Sequence, residues 1–202
     1  KIPPFFAVPT TAGTGSETTL AAVISNAQTH KKSTLMDISV LPKYAILDGK
    51  LTTSLPAHIT STTGMDALTH AVEAFIGNTR TPETKKMSIT AVKLIKDNLY
   101  ECYINPTNGV ARQNMLLASH YAGISFTKSY VGYVHAIAHS LGGKYGIPHG
   151  LANAVILPVM LQEYGSKAHK KLAHLAYEAK IASIEDNVEV AANKFISWVY
   201  EM

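Results

Sequence analysis

This sequence contains two pairs of residues of types that bind metals, and within each pair the two residues are four positions apart. Each pair lies in a stretch whose apolar spacing predicts a helix. Asp66 precedes His70 by four positions, and His135 precedes His139 by the same interval. Residues four apart lie on one face of a helix, about one turn from each other, so each pair presents both side chains in one direction. His149 follows a short distance further along the chain. These five side chains are therefore candidates for a shared site.

Carboxylate oxygen and imidazole nitrogen are suitable ligands for divalent first-row metals. One carboxylate with three imidazoles leaves a divalent ion with net positive charge, so the ion can polarise an alcohol oxygen. Each pair alone leaves another interpretation open. Asp66 and His70 could be a surface pair, whereas His135 and His139 could be hydrogen-bonded core histidines in dry surroundings. The two pairs together with His149 favour a metal site, without distinguishing iron from zinc or another divalent ion.

A loop rich in glycine and hydroxyl residues, PTTAGTGSE at positions 9–17, follows the first predicted strand. Small residues let the backbone approach a phosphate, and amides and hydroxyls can donate hydrogen bonds to it. The loop is neither a P-loop nor a Gly-x-Gly-x-x-Gly fingerprint. Taken alone, an ordinary connection between a strand and a helix is the simpler interpretation.

The pattern of the chain changes near residues 50–56. Short apolar runs predict strands at 5–8, 20–25 and 44–47, and apolar residues then recur at helical spacing in 57–76, 83–98, 110–125, 133–141, 150–163, 168–180 and 188–201. Because three short strands cannot form a covered sheet, we expect a mainly α fold. In this prediction an all-helical domain (53–202) follows part of an α/β domain (1–52). We also expect the sequence to begin inside the α/β domain and to end inside the helical one.

The composition of the 202 residues excludes several classes of protein. A hydrophobic fraction of 47% and a charged fraction of 16% are typical of an ordered globular protein. The net charge of +4 is spread over scattered lysines, which argues against a nucleic-acid partner. The single cysteine, Cys102, cannot form an intrachain disulfide and fits a reducing cytoplasm. The longest apolar stretch is too short to span a bilayer, so we expect no membrane association.

Four longer segments combine these residues: VPTTAGTGSE (8–17), GMDALTHAVEA (64–74), GYVHAIAHSLGG (132–143) and PHGLANA (148–154). Together, and in this order, they resemble the iron-containing alcohol dehydrogenases, which have the dehydroquinate synthase-like fold. The resemblance implies that residues 1–52 are the C-terminal remnant of an α/β Rossmann-like nucleotide-binding domain and that residues 53–202 are an all-helical metal-binding catalytic domain. The Gly-Gly-Gly-Ser pyrophosphate motif of that family is absent from the sequence. We therefore expect a fragment that lacks most of the N-terminal cofactor domain.

The resemblance implies a role for every candidate residue. It implies metal ligands at Asp66, His70, His135 and His149, and it places His139 near substrate and nicotinamide without binding metal. The implied contacts with the dinucleotide are Thr10, Thr11, Thr14, Ser16, Thr19 and Lys32. The implied cofactors are Fe²⁺, or Zn²⁺ or another divalent metal, and NAD or NADP. The implied reaction is the reversible oxidation of a primary alcohol to an aldehyde, in a cytoplasmic homo-oligomer of two or more chains.

Other functions remain open at this point. A zinc-dependent glycerol dehydrogenase or a dehydroquinate synthase-like enzyme would keep the fold, although three histidines with Asp66 favour the iron type. A metallohydrolase would need a general base, and Glu73 is the nearby candidate because it shares the helix face of Asp66. An inactive metal-binding fragment is the fourth alternative.

Overall fold

The computed structural model describes residues 3–28 and 32–202, and it leaves out the side chains of Ser25 and Lys32. Within these residues, four short strands precede seven α-helices. The strands are β1 (Phe6–Ala7), β2 (Ala21–Ser25), β3 (Lys32–Met36) and β4 (Tyr44–Ala45). The helices are α1 (Ala57–Ile76), α2 (Pro82–Ile104), α3 (Gly109–Ser129), α4 (Tyr133–Tyr145), α5 (His149–Glu163), α6 (Ser166–Glu178) and α7 (Val188–Glu201). The mainly α fold class is thereby confirmed.

The strands form two separate pairs. β1 runs parallel to β4, with Phe6 opposite Tyr44, and β2 runs antiparallel to β3, with Ala21 opposite Met36. Sequence analysis predicted β1, β2 and β4 but missed β3. The β3 sequence KSTLM begins with three polar residues and has no apolar alternation. Its extended conformation therefore depends on pairing with β2, which a local pattern does not reveal.

Local signals explain where the helices begin. The Thr81 hydroxyl accepts a hydrogen bond from the Thr84 amide, the Thr84 hydroxyl accepts one from the Thr81 amide, and Pro82 occupies the first turn. This capping box satisfies amides that would otherwise lack partners. Asn108 and Asn187 cap α3 and α7 through their side-chain oxygens. In the part of the chain that the structure describes, no helix is both long and apolar enough to cross a membrane.

Helix α1 lies at the centre of the molecule. Every residue from Gly64 to Phe75 is buried, and α1 packs against α2, α3 and α5. The absent side chain of Gly64 allows this close packing, because a Cβ there would lie 2.3 Å from Leu99 Cδ1. A helix that is buried all round is normally apolar. The polar residues of α1 must therefore find partners on the neighbouring helices.

The glycine-rich loop lies against α1 and α3. A Cβ on Gly13 would be 2.6 Å from Thr63 Cβ of α1, and a Cβ on Gly15 would be 2.8 Å from Gly123 Cα of α3. Gly15 also has φ 56°, in the left-handed region that favours glycine. The glycines therefore let the loop backbone approach two helices directly.

We predict that Gly15→Ala lowers the free energy of unfolding by more than Gly146→Ala does. Both glycines have positive φ, 56° and 70°, so alanine costs roughly 1–2 kcal/mol at either position. Only position 15 adds a clash with α3, worth about 1–3 kcal/mol more, since no atom of residues 3–28 or 32–202 lies within 4 Å of a Cβ at Gly146. Equilibrium urea denaturation measures both values. Equal losses in the two variants would contradict the packing described for the loop.

Candidate metal centre

Three helices bring the predicted ligands together. Asp66 and His70 lie one turn apart on α1, and His135 lies in the first turn of α4. One ligand atom from each of these three residues lies within 4.8 Å of the other two. All three residues are buried, with whole-residue exposures of 2%, 5% and 2%. The arrangement is a compact carboxylate–imidazole cluster.

His149 lies beside this cluster, at the start of α5. Its Nε2 is 3.4 Å from Asp66 Oδ1, and its ring centroid is 5.4 Å from that of His135. The side chain of His149 is 36% exposed, whereas those of Asp66 and His135 are 3% exposed. His149 therefore adjoins the open side of the cluster, outside the closest group of three.

The cluster suits a divalent metal ion for two reasons: its residues are of ligand types, and two of its imidazole nitrogens have unsatisfied hydrogen-bonding capacity in the described part of the chain. Nδ1 of His70 and Nε2 of His135 are buried, and neither has a hydrogen-bond partner among the described residues. The rings of His70 and His135 stack at 4.4 Å, and Phe126 of α3 stacks on His70 at 4.1 Å. A buried polar nitrogen without a partner is costly, and a cation shared with a carboxylate would satisfy it.

The charges of the cluster are strongly coupled. Burial disfavours the ionised form of Asp66, but the imidazoles of His70, His135 and His149 outweigh burial and hold the pKa of Asp66 far below its usual range. Burial lowers the pKa of His70 to about 4. Burial also disfavours charge on His135, yet the neighbouring carboxylates of Asp66 and Glu73 raise its pKa to about 9. Since a ligating imidazole must lose its extra proton, metal and protons compete for this site.

Glu73 holds the start of α4 against α1. Its Oε2 lies 2.6 Å from His135 Nδ1 and accepts a hydrogen bond from the Gly132 amide at 2.9 Å, while its Oε1 accepts one from the Val134 amide at 2.8 Å. Despite burial, these donors keep the pKa of Glu73 below its usual value. A carboxylate engaged by three donors is poorly placed to activate water, so the structure does not favour the metallohydrolase alternative.

Asn153 is a site residue that sequence analysis missed. Its Nδ2 donates a hydrogen bond to Asp66 Oδ1 at 2.7 Å and lies 3.1 Å from His149 Nε2. Asn153 is fully buried, one turn after His149 on α5. A lone amide four residues after a candidate ligand, in an otherwise apolar stretch, is the signal that could have identified it.

His139 and His135 differ in solvent exposure, which their four-residue spacing does not indicate. His135 is buried, whereas His139 is exposed, so the alternative interpretation that both are core histidines in dry surroundings is wrong for His139. Helix α4 packs chiefly on α5, and its buried residues are Val134, His135 and Ala138. The His139 ring lies 5.0 Å from that of His149 and 6.0 Å from that of His135. His139 therefore lies at the edge of the cluster, on the same side as His149.

The predicted dinucleotide contacts lie on the outward side of the glycine-rich loop. Ala12, Gly13 and Gly15 are buried, whereas the five hydroxyl residues predicted to contact the dinucleotide are exposed or half-buried. The exposed ones are Thr10, Thr14 and Ser16, and the half-buried ones are Thr11 and Thr19. The side chain of Lys32 lies outside the described residues, although its backbone begins β3. The cofactor role of these six residues stays a prediction.

Fold and site together describe a mainly helical protein with a buried imidazole–carboxylate cluster suited to a divalent metal. Residues 60–202 match the family model described as "Fe-containing alcohol dehydrogenase family, C-terminal", and residues 1–49 match "Iron-containing alcohol dehydrogenase". The chain belongs to the iron-containing alcohol dehydrogenase family, as the resemblance predicted.

Individual relatives agree with this membership. The chain is 48% identical over 157 residues to a 1,3-propanediol dehydrogenase of Citrobacter freundii, covering 78% of this chain and 41% of that protein. A crystal structure of a 1,3-propanediol oxidoreductase matches with a TM-score of 0.95 at 40% identity, covering 99% of this chain and 52% of that one. A sulfoacetaldehyde reductase from Bifidobacterium kashiwanohense in complex with NAD⁺ matches with a TM-score of 0.88 at 33% identity, covering 100% and 53%. The chain thus spans about half the length of the relatives it matches.

We predict that Asn153→Leu destabilises the metal-free chain by about 1–3 kcal/mol. Leucine keeps the volume but removes the donor to Asp66, leaving a buried carboxylate oxygen with one partner fewer. Thermal or urea unfolding in the presence of a chelator measures the loss. Asn114→Leu is the control, because half-buried Asn114 donates its hydrogen bond to the neutral amide of Asn98. A loss at position 153 no larger than at position 114 would argue against this role for Asn153.

Proposed function

We propose that this chain is the metal-binding catalytic part of an NAD(P)-linked alcohol dehydrogenase that converts a primary alcohol reversibly to an aldehyde. The observation that carries the proposal is the convergence of Asp66, His70 and His135 in a buried cluster, with His149 adjoining its open side. Two imidazole nitrogens of this cluster have no hydrogen-bond partner in the part of the chain that the structure describes. These four residues would hold the metal.

In the proposed reaction, a divalent ion bound by these residues supplies Lewis-acid polarisation of the alcohol oxygen. The chain supplies the surroundings. Asn153 orients Asp66 through the hydrogen bond to its carboxylate, and Phe126 covers the His70 ring and keeps water from that side. Exposed His139 lies beside His149, where it can pass the alcohol proton to solvent and position the substrate.

The finer assignments belong to the same proposal. Fe²⁺ is the proposed metal because of family membership, although the ligand types suit other divalent ions. NAD is the proposed hydride acceptor, supported by the NAD⁺ complex of the related sulfoacetaldehyde reductase. A short primary alcohol such as 1,3-propanediol is the proposed substrate, supported by the names of two relatives. The six loop and strand residues named above would contact the dinucleotide.

We further propose two domains, 1–52 and 53–202, supported by the change from strands to helices after Ala45. The proposed location is the cytoplasm, which the buried free thiol of Cys102 fits. A homo-oligomer of two or more chains is proposed on family membership alone.

We predict that the anaerobically purified chain binds one divalent ion and that His135→Ala weakens this binding by at least about 10–100-fold. His139→Ala is the matched control, since it removes an imidazole from the same helix but outside the cluster. Metal analysis gives the stoichiometry, and calorimetric titration with Fe²⁺ or Zn²⁺ gives the affinity. If the wild-type chain binds no ion, the proposed function fails.

We predict that the metal-loaded chain, joined to the N-terminal half that its relatives carry, forms NADH from 1,3-propanediol and NAD⁺, and that His139→Ala slows this reaction by about 10²–10⁴-fold while retaining the metal. His169→Ala, on α6, is the control and should leave the rate unchanged. NADH absorbance measures the reaction. Metal binding without NADH formation would leave the site in place and contradict dehydrogenase activity of this chain.

A further inference from the structure

Glu73 connects the metal cluster to the backbone of a second helix. It lies on the face of α1 that carries Asp66, seven positions further along, and only 3% of the residue is exposed. Its two oxygens accept hydrogen bonds from the Gly132 and Val134 amides at the start of α4, and Oε2 also lies 2.6 Å from His135 Nδ1. One carboxylate therefore contacts both the backbone that begins α4 and the imidazole that this backbone carries.

The contact with Nδ1 determines which nitrogen of His135 is available. An ionised carboxylate only accepts hydrogen bonds, so the Nδ1 that faces it must carry a proton. In the neutral ring the lone pair then lies on Nε2. That atom faces Asp66 Oδ1 at 3.6 Å and is buried without a hydrogen-bond partner among the described residues. The nitrogen that Glu73 leaves available is therefore the one directed into the cluster.

We propose that Glu73 is a positioning residue that holds the first turn of α4 and the His135 ring as one unit, with Nε2 presented to the metal. This proposal rests on the proposed function, in which Asp66, His70 and His135 hold a divalent ion. Its consequence is that metal affinity depends on a residue that is not a ligand. If Glu73 only capped α4 and did not influence the imidazole, replacing it would affect the stability of the chain but not the tautomer of His135.

Gly132 provides a second way to disturb the same carboxylate. A Cβ on Gly132 would lie 2.8 Å from Glu73 Oε1. Gly132 has φ −125°, which any residue can adopt, so alanine would introduce no backbone strain from φ. Gly132→Ala therefore displaces the carboxylate while keeping its charge and its chemical identity.

The main experiment compares Zn²⁺ affinity in the wild type and Glu73→Gln by calorimetric titration. A glutamine has one acceptor oxygen, so in either orientation its NH₂ group faces a backbone amide donor. When the NH₂ group faces His135, the ring must move its proton to Nε2, where it blocks ligation. We expect affinity to fall about 10–100-fold. Glu17→Gln is the matched control, because buried Glu17 pairs with His120 Nδ1 at 3.2 Å outside the cluster. It should leave zinc affinity unchanged.

A spectroscopic measurement separates positioning from a purely structural effect. In ¹⁵N-labelled, zinc-loaded wild type, we expect a hydrogen-bonded Nδ1–H signal from His135, and in Glu73→Gln we expect that signal to be lost or shifted. If Glu73→Gln does not fold, Gly132→Ala decides, with a similar loss of affinity expected. Wild-type affinity with an unchanged Nδ1–H signal in the variant that folds would overturn this proposal. Absence of zinc binding in the wild type would instead overturn the proposed function.

Discussion

The burial of polar side chains along α1 is the constraint on which the rest of the structure depends. Asp66, His70 and Glu73 lie in a run of α1 in which every residue is buried. Burying charged groups is costly unless each one is paired or hydrogen-bonded. The partners come from other helices: Asn153 of α5 reaches Asp66, and the first turn of α4 surrounds Glu73. The hydrogen bonds to the buried polar residues of α1 therefore also determine where the first turns of α4 and α5 lie beside it.

This pairing is incomplete at two imidazole nitrogens of the cluster. The protein surrounds the carboxylates with donors, yet it leaves Nδ1 of His70 and Nε2 of His135 buried without partners among the residues described. In the metal-free chain, protonation of His135 between two carboxylates offsets part of that cost, which is why its pKa rises to about 9 although burial opposes the charge. A divalent ion would take the place of that proton. The protonation state of the cluster then affects both the stability of the helical packing and the affinity for metal.

The sequence predicted those features that depend on local pattern. Helical spacing predicted all seven helices, and four-residue spacing identified the pairs that α1 and α4 carry. Features that depend on partners were not predictable in the same way. The extended conformation of β3 depends on β2, the burial of His135 and the exposure of His139 depend on where α4 meets α1 and α5, and the role of Asn153 depends on the approach of α5 to Asp66. The sequence indicated Glu73 only as the general base that a metallohydrolase would need, because its three donors come from residues about sixty positions away.

The same two helices position the glycine-rich loop and the metal cluster. Gly13 contacts Thr63, which precedes Asp66 by three positions on α1, and Gly15 contacts Gly123, which precedes Phe126 by three positions on α3. Phe126 in turn stacks on His70. Because residues three apart on a helix are neighbours on one face, less than one helical turn separates one loop contact from Asp66 and the other from Phe126. If the outward hydroxyls of the loop bind a dinucleotide, its distance from the metal follows from two rigid helices. A substitution that separates the loop from α3 would then misalign cofactor and metal without altering any ligand.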